Sequence, residues 1–295
     1  MSKADASTIS VVIPTLGGGF LHQTVEQLYR GTVRPTEVLV CIPTKGALRA
    51  ELPRIPGVRV VVTEVRGQVT QRARGFQEAV GAMVLQLDDD IQLEPDCLER
   101  TVSFLEHVGP GNAVGPVYVD ADTGECVHRI NGGFKGWLQS VYAMIVCGAP
   151  WDVARMGRAT SIGVNYGVDW EHCGGTAPFE TDWLPGGCVL NYRGDLVLDS
   201  FFPFPGKAYC EDNIHSLLRK GKGIRHWVVP EARCVIQVPK HDFPDADWRG
   251  STVARRYCTQ LSHGSRVRAE IYSALLRLHW FVLHMRGRAM KSRKK

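Results

Sequence analysis

A chain of 295 residues that is 44% hydrophobic and 22% charged can bury a core of domain size, which sets aside a disordered or fibrous protein. Its nine cysteines are scattered singly with no C-x-x-C pair, which argues against a disulfide scaffold or thiolate zinc site and for a reducing, cytoplasmic compartment. The net charge of +5 is uneven: residues 249–295 hold twelve Lys or Arg against one acid, Glu270, and so carry +11, leaving −6 to the preceding 248.

Residues 9–15 form a β-branched run that reads as an opening strand, ending in Pro14-Thr15 ahead of Leu16-Gly17-Gly18-Gly19. Residues 20–30 read as a helix, 37–42 as a second strand closed by Pro43, and 58–63 as a third. A helical segment over 68–80 contains Arg72-Ala73-Arg74-Gly75, and 83–87 is a fourth strand. Short β-α units of this kind predict an α/β fold with a mainly parallel open sheet flanked by helices. Residues 112–119 add a fifth strand. Residues 121–187, rich in Gly, Trp and Cys, read as an irregular region that shapes a pocket. Regularity returns with strands at 188–192, 224–229 and 234–238, and with a helix near 211–220 opened by Glu211-Asp212.

The fourth strand breaks into Asp88-Asp89-Asp90. Three adjacent carboxylates repel one another, and those at i and i+2 can both turn toward one hard divalent ion, which prefers oxygen ligands. The plain alternative is a solvated acidic turn. Position favours the first reading, because Glu94-Pro95-Asp96 opens another helix and the acids then stand at the carboxyl end of a strand, where open sheets bind ligands.

Taken together, the Pro14-Thr15 strand end, Arg72 to Gly75, Asp88-Asp89-Asp90, Pro185-Gly186-Gly187 and Glu211-Asp212 resemble a family 2 glycosyltransferase with the GT-A fold, over roughly residues 9–240. The resemblance implies a nucleotide-sugar donor lying across the strand ends, a Mg²⁺ or Mn²⁺ ion on its phosphates, and a saccharide or lipid-linked acceptor. It assigns Pro14, Thr15, Arg72, Asp88, Asp89, Gly186 and Gly187 to the donor, and Asp88, Asp90 and His241 to the metal, with Asp90 the direct ligand. Asp212 becomes the general base of an inverting transfer. The implied division is a catalytic unit over 1–248, with a donor half at about 9–120 and an acceptor half at about 121–248, then a basic helical extension over 249–295. One departure stands out: the second strand closes as Cys41-Ile42-Pro43-Thr44 with no carboxylate to read a base, so the nucleotide is left open.

Each residue has a plainer role to be weighed. Glu211 and Asp212 suit any helix N-terminus, Arg72 could lie on a helix surface, and His241 could be structural. Gly186 and Gly187 could form an ordinary turn, and Trp151, Trp170 and Trp183 could be core rather than sugar platforms. The three glycines at 17–19 match no phosphate-loop pattern and read as a wall of the nucleotide site. A sugar nucleotidyltransferase is the enzymatic rival, although the basic residues of its glycine-rich loop are missing after the first strand. A carbohydrate-binding scaffold is the non-enzymatic one.

In the tail, Val267, Ile271, Leu275, Leu278, Val282 and Met285 recur at helical spacing, and six basic residues follow from Arg286 onward with no acid. This pattern suits a helix lying on an anionic membrane at the inner face of the cell membrane, or one packed on the catalytic unit. No apolar run approaches the roughly 20 residues of a bilayer span, and residues 1–10 show no secretory signal. Aromatic residues are too sparse in the tail to suggest nucleic acid.

Overall fold

The computed structural model describes residues 8–48, 52, 54–129, 131–149, 156–172, 175–202, 208–238 and 245–292. The first strands are β1 (Ile9–Pro14), β2 (Glu37–Ile42), β3 (Val58–Val62) and β4 (Met83–Leu87), with α1 (Leu21–Arg30) and α2 (Gln68–Glu78) between them. Next come the short β5 (Gln92–Leu93), α3 (Cys97–Val108), β6 (Asn112–Asp120), α4 (Gly133–Tyr142) and a π turn at Ala143–Cys147. The chain continues through β7 (Phe179–Thr181), β8 (Cys188–Tyr192), α5 (Glu211–Gly221), β9 (Arg225–Ile236), α6 (Asp245–Leu261) and α7 (Arg266–Ser292).

One sheet runs in the order β3-β2-β1-β4-β8-β6-β9-β5, with β7 on the side of β9. The four N-terminal strands are mutually parallel, β6 and β9 are parallel to each other, and β8 runs antiparallel between β4 and β6. The inner strands β1, β2 and β4 are buried on both faces, as their unbroken apolar runs require, while β3 at the edge is largely open. Ile9, Val11 and Ile13 pack with Leu21, Val25 and Leu28 of α1, while Val12 and Cys41 meet Phe76 and Ala79 from α2 and its end on the opposite face. Gly75 lets α2 lie close to the sheet, because a Cβ there would collide with Val12 and sit 2.6 Å from Cys41 Sγ. That close seat aims Gln71 and Arg72, one turn earlier, at the strand ends.

Two elements differ from expectation. The strands expected at 224–229 and 234–238 are one strand, β9, whose pairing with β6 jumps from Val229 opposite Pro116 to Arg233 opposite Val117. Pro230 sits in that bulge and has no N–H to give a ladder. In the region read as irregular, α4 and the π turn form an ordered helical segment. The described cysteines are free thiols, and among the described residues no helix is long and apolar enough to cross a membrane.

Candidate active site

The carboxyl ends of β1 and β4 and the start of α2 enclose a cleft of about 850 Å³, lined by Pro14, Thr15, Gly17, Gly18, Arg66, Gln68, Gln71 and the three acids Asp88, Asp89 and Asp90. The acids therefore do not form a solvated surface turn. Each carboxylate is held differently. Thr15 Oγ1 donates to Asp89 Oδ2 and Thr24 Oγ1 donates to the Asp89 carbonyl at 2.9 Å, which ties the middle acid back to β1 and α1. Gly18 borders the same carboxylate so tightly that a Cβ would lie 2.9 Å from Asp89 Oδ2. Gln68 Nε2 donates to Asp88 Oδ1 at 3.0 Å. Asp90 is exposed toward the cleft.

Below Asp88 lies Arg72, which is 1% exposed. Its guanidinium spans Asp88 Oδ1 at 3.4 Å and Glu211 Oε2 at 2.8 Å, a contact between residues 139 apart in the chain. A helix-surface role for Arg72 is thereby excluded. Burial alone would lower its pKa, but Glu211 and Asp88 reverse that and raise it. Gln71 donates to the Thr15 and Cys41 carbonyls at 2.7 and 2.6 Å, fixing the ends of β1 and β2.

The second acidic pair enters from α5. Cys210, just before that helix, adopts the left-handed region at φ 56°, an unusual conformation for a residue with a side chain. The helix begins there with Glu211 buried and Asp212 turned to the loop before β8, where Gly186 N–H donates to Asp212 Oδ1 at 2.8 Å. A Cβ on Gly186 would land on that oxygen and lie 2.7 Å from Glu211 Oε1; one on Gly187 would strike Ile91. Both glycines are thus demanded by their neighbours. Gln86 donates to the Gly186 carbonyl and accepts from the buried Arg219 at 3.4 Å, so the loop is held from beneath. Arg219 is lowered to about 9 by burial and by Arg72.

These carboxylates are expensive to ionise together. Burial raises Asp88 to about 7, against the pull of Arg72, with Glu211 and Asp90 adding to the rise. Burial and Asp89 raise Asp90. Burial and the adjoining Glu211 hold Asp212 well above the usual carboxylate range. A divalent ion would relieve that repulsion. Among the described residues no three His, Cys, Asp or Glu side chains converge to hold a metal by themselves. The donor set therefore fits a hard cation taken by one or two carboxylates and completed by phosphate oxygens and water, as Mg²⁺ sites commonly are.

His241 and Trp151 lie outside the described residues. Trp183 is a buried packing residue whose Nε1 donates to the Tyr166 carbonyl at 2.9 Å, and Trp170 lies under the Arg233 guanidinium. Neither faces the acid-lined cleft. The sequence reading passed over Gln68, Gln71, Gln86, Arg219 and Glu211's partnership with Arg72. Only the i, i+4 spacing of Gln68 and Arg72 on one face of α2 hinted at them. A second cleft of about 440 Å³ lies where α4 and α7 meet, lined by His128, Gln139, Tyr142, Asn165, Tyr166 and Tyr272. His128 on its wall meets the Tyr118 ring at 6.3 Å, and Tyr118 Oη donates to the Pro185 carbonyl, next to Gly186.

Residues 10–145 match the profile of glycosyl transferase family 2. No curated protein matches the chain. The structure is similar to that of GalNAc-T7 with UDP, GalNAc and Mn²⁺, with a TM-score of 0.61 and 18% identity over 87% of this chain. This chain covers 48% of that one, about half its length. A mycobacterial protein superposes with a TM-score of 0.50 at 16% identity, covering 88% of this chain and 77% of the other. At 0.49 and 17% identity stands the mannosyltransferase PcManGT from Pyrobaculum calidifontis in complex with GDP-Man and Mn²⁺, with 92% and 79% covered. At such identities the structural likeness establishes the fold. Joined to the profile match, it shows that the chain has the GT-A fold and that its residues 10–145 are similar to glycosyl transferase family 2.

Proposed function

We propose that the protein transfers a sugar, with inversion, from a nucleotide-diphosphate sugar to a hydroxyl of a saccharide or lipid-linked acceptor, with a Mg²⁺ or Mn²⁺ ion as cofactor. The observation that carries this reading is the single network Asp88–Arg72–Glu211–Asp212, which couples the acid-tipped end of β4 to a second carboxylate pair at the start of α5. On this reading residues 9–120 hold the donor, 121–248 the acceptor, and 249–295 form a basic extension.

Pro14, Thr15, Gln68 and Gln71 frame the nucleotide-sugar, with Asp88 and Asp89 on the same wall. Asp90, with Asp88 beside it, holds the ion, and His241 is the proposed further ligand. When bound, the ion neutralises charge that builds on the departing diphosphate. Arg72 keeps Asp88 and Glu211 in place and limits their mutual repulsion. Gly186 allows the loop to run against Asp212 without a side chain between them. Asp212 accepts the proton of the attacking hydroxyl as the glycosyl–phosphate bond breaks on the opposite face of the sugar. Its raised pKa makes it a stronger base than an exposed aspartate, once it is ionised. The acceptor occupies the cleft bounded by His128, Tyr142 and Tyr166.

The test is a panel of nucleotide sugars incubated with the protein, with Mn²⁺, Mg²⁺ or chelator. Metal-dependent release of a nucleoside diphosphate supports the reading. Formation of a nucleoside triphosphate and a sugar 1-phosphate when pyrophosphate is added with the donor would instead identify a nucleotidyltransferase, and absence of both reactions with every donor would leave a binding protein on the same fold.

A further inference from the structure

We infer that the outer faces of α4 and α7 together form a docking surface for an anionic lipid bilayer. The inference stands apart from sugar transfer, since it uses no residue of the acid-lined cleft. In α7, Ala269 and Ser273 are buried and Tyr272 sits against the chain, within 6.5 Å of the Tyr142 ring. The opposite side of the helix carries Val267, Ile271, Leu275, Leu278 and Val282, at the i, i+4, i+8, i+11, i+15 spacing of one stripe, and all are exposed, Val267 at 70%. The helix therefore packs on the protein with its small residues and turns its large apolar ones outward. That is the reverse of what a helix serving only the fold would do.

A second exposed apolar face adjoins it. On α4, Phe134 is 74% exposed and stacks on Trp137 with ring centroids 5.8 Å apart, and Leu138 lies beside them. The two helices are tied through the π turn, where the Arg268 guanidinium donates to the Met144 and Ile145 carbonyls at 3.2 and 2.6 Å. Ile145 is itself 61% exposed. A soluble surface rarely gathers so many large apolar side chains without a partner.

Charge selects the partner. The only acid of the tail, Glu270, is taken by a fork from Arg256 at 2.5 and 2.9 Å, so the eleven other basic residues of the tail are left without an acid of their own segment. Six Lys or Arg and no acid follow in residues 286–295. A second copy of this chain would bring a second tail of the same sign onto the first, which disfavours self-association. An anionic leaflet meets both the apolar stripe and the basic excess, and no described helix is long and apolar enough to leave the surface and span it. The cleft lined by Gln139 and Tyr142 of α4 and Tyr272 of α7 then opens beside the bilayer. If the transferase reading holds, an acceptor anchored in that leaflet presents its head group there.

The test uses the full-length protein and vesicles of phosphatidylcholine alone or mixed with phosphatidylglycerol. Co-sedimentation is compared for wild type, Ile271→Ser/Leu275→Ser/Leu278→Ser and Phe134→Ser/Trp137→Ser, with thermal unfolding to show that each variant folds. Wild type should sediment with the anionic vesicles and be released by high salt, since each basic residue near such a surface is worth about a fivefold change in partition. Each serine variant should bind at least about tenfold more weakly, because apolar burial in the interface supplies the rest. Wild type remaining in the supernatant at low salt overturns the inference. So do serine variants that bind like wild type, which would reduce the effect to a polycationic tail. A wild-type dimer that the serine changes convert to monomer would assign the surface to a second copy and overturn it as well. Nucleoside diphosphate release is measured without vesicles, so failure here leaves the transferase reading to its own test.

Discussion

Arg72→Met removes the cation that, among the described residues, joins Asp88 to Glu211, while keeping the apolar stem. Arg72 and Glu211 are almost fully buried and 2.8 Å apart, whereas Asp88 is about a quarter exposed and 3.4 Å away, so Glu211 bears most of the loss. Removing one member of a buried, hydrogen-bonded ion pair costs about 3–5 kcal/mol, because the remaining charge is left without a partner. For a domain of this size about 2–4 °C of Tm accompanies each kcal/mol, so the midpoint should fall by roughly 6–20 °C. The loss should depend on pH. Arg72 holds Asp88 down even at about 7, so without it Asp88 rises further, and protonation of Asp88 removes one of the two unpaired charges. Destabilisation is therefore largest well above pH 7 and shrinks well below it. Glu211→Gln in the Arg72→Met background should recover part of the loss, as coupled neighbours do. Thermal unfolding of wild type, the two single variants Arg72→Met and Glu211→Gln, and the double variant across that pH range measures all of this. A loss under about 1 kcal/mol, or one equal at both ends of the range, would refute the buried-pair argument.

Other outcomes follow from the same geometry. Asp212→Asn keeps shape and can still accept from Gly186 N–H, so donor affinity should persist while turnover falls by roughly 10²–10⁴; more than about a tenth of the wild-type rate would reduce Asp212 to a helix-terminus acid. Gly186→Ala forces the Asp212 and Glu211 carboxylates aside and should lower kcat far more than KM, at a stability cost of about 1–3 kcal/mol; an unchanged kcat would show that the loop tolerates a side chain. Because Asp88 binds its proton more tightly in the folded state, the metal-free protein should lose stability as pH rises from the usual 3.8 toward about 7 and then level off, as far as this group decides it. Added Mn²⁺ should offset that loss, and calorimetric scans across the range with and without the ion would show whether it does.

The parallel half of the fold was legible because β1 to β4 are short apolar runs, and burial of β1, β2 and β4 on both faces leaves little else they can be. The acid triplet was legible for the same reason: a strand that ends in three carboxylates announces its own terminus. What lay beyond local pattern was long-range pairing. Nothing in residues 188–192 says that β8 inserts antiparallel between β4 and β6, and nothing near Arg72 names Glu211 as its partner. Glu211 and Asp212 read equally well as ordinary first-turn acids until the αL turn at Cys210 and the contact with Gly186 set them against the strand ends. The bulge that unites β9 was hidden because Pro230 resembles a strand terminator. In the tail, periodicity found the apolar stripe of α7 but could not say whether it faced inward, since the small residues Ala269 and Ser273 carry little signal of burial.

Calorimetric titration of nucleoside diphosphate into wild type and Asp90→Ala, with Mn²⁺ and with chelator, tests most directly whether the acid-lined cleft is a metal-dependent nucleotide site. Wild type should bind with Mn²⁺ and lose most of its affinity with chelator, and Asp90→Ala should behave with Mn²⁺ as wild type does with chelator while unfolding at an unchanged or higher temperature. Equal affinity in the two proteins, or binding indifferent to the ion, would contradict the account.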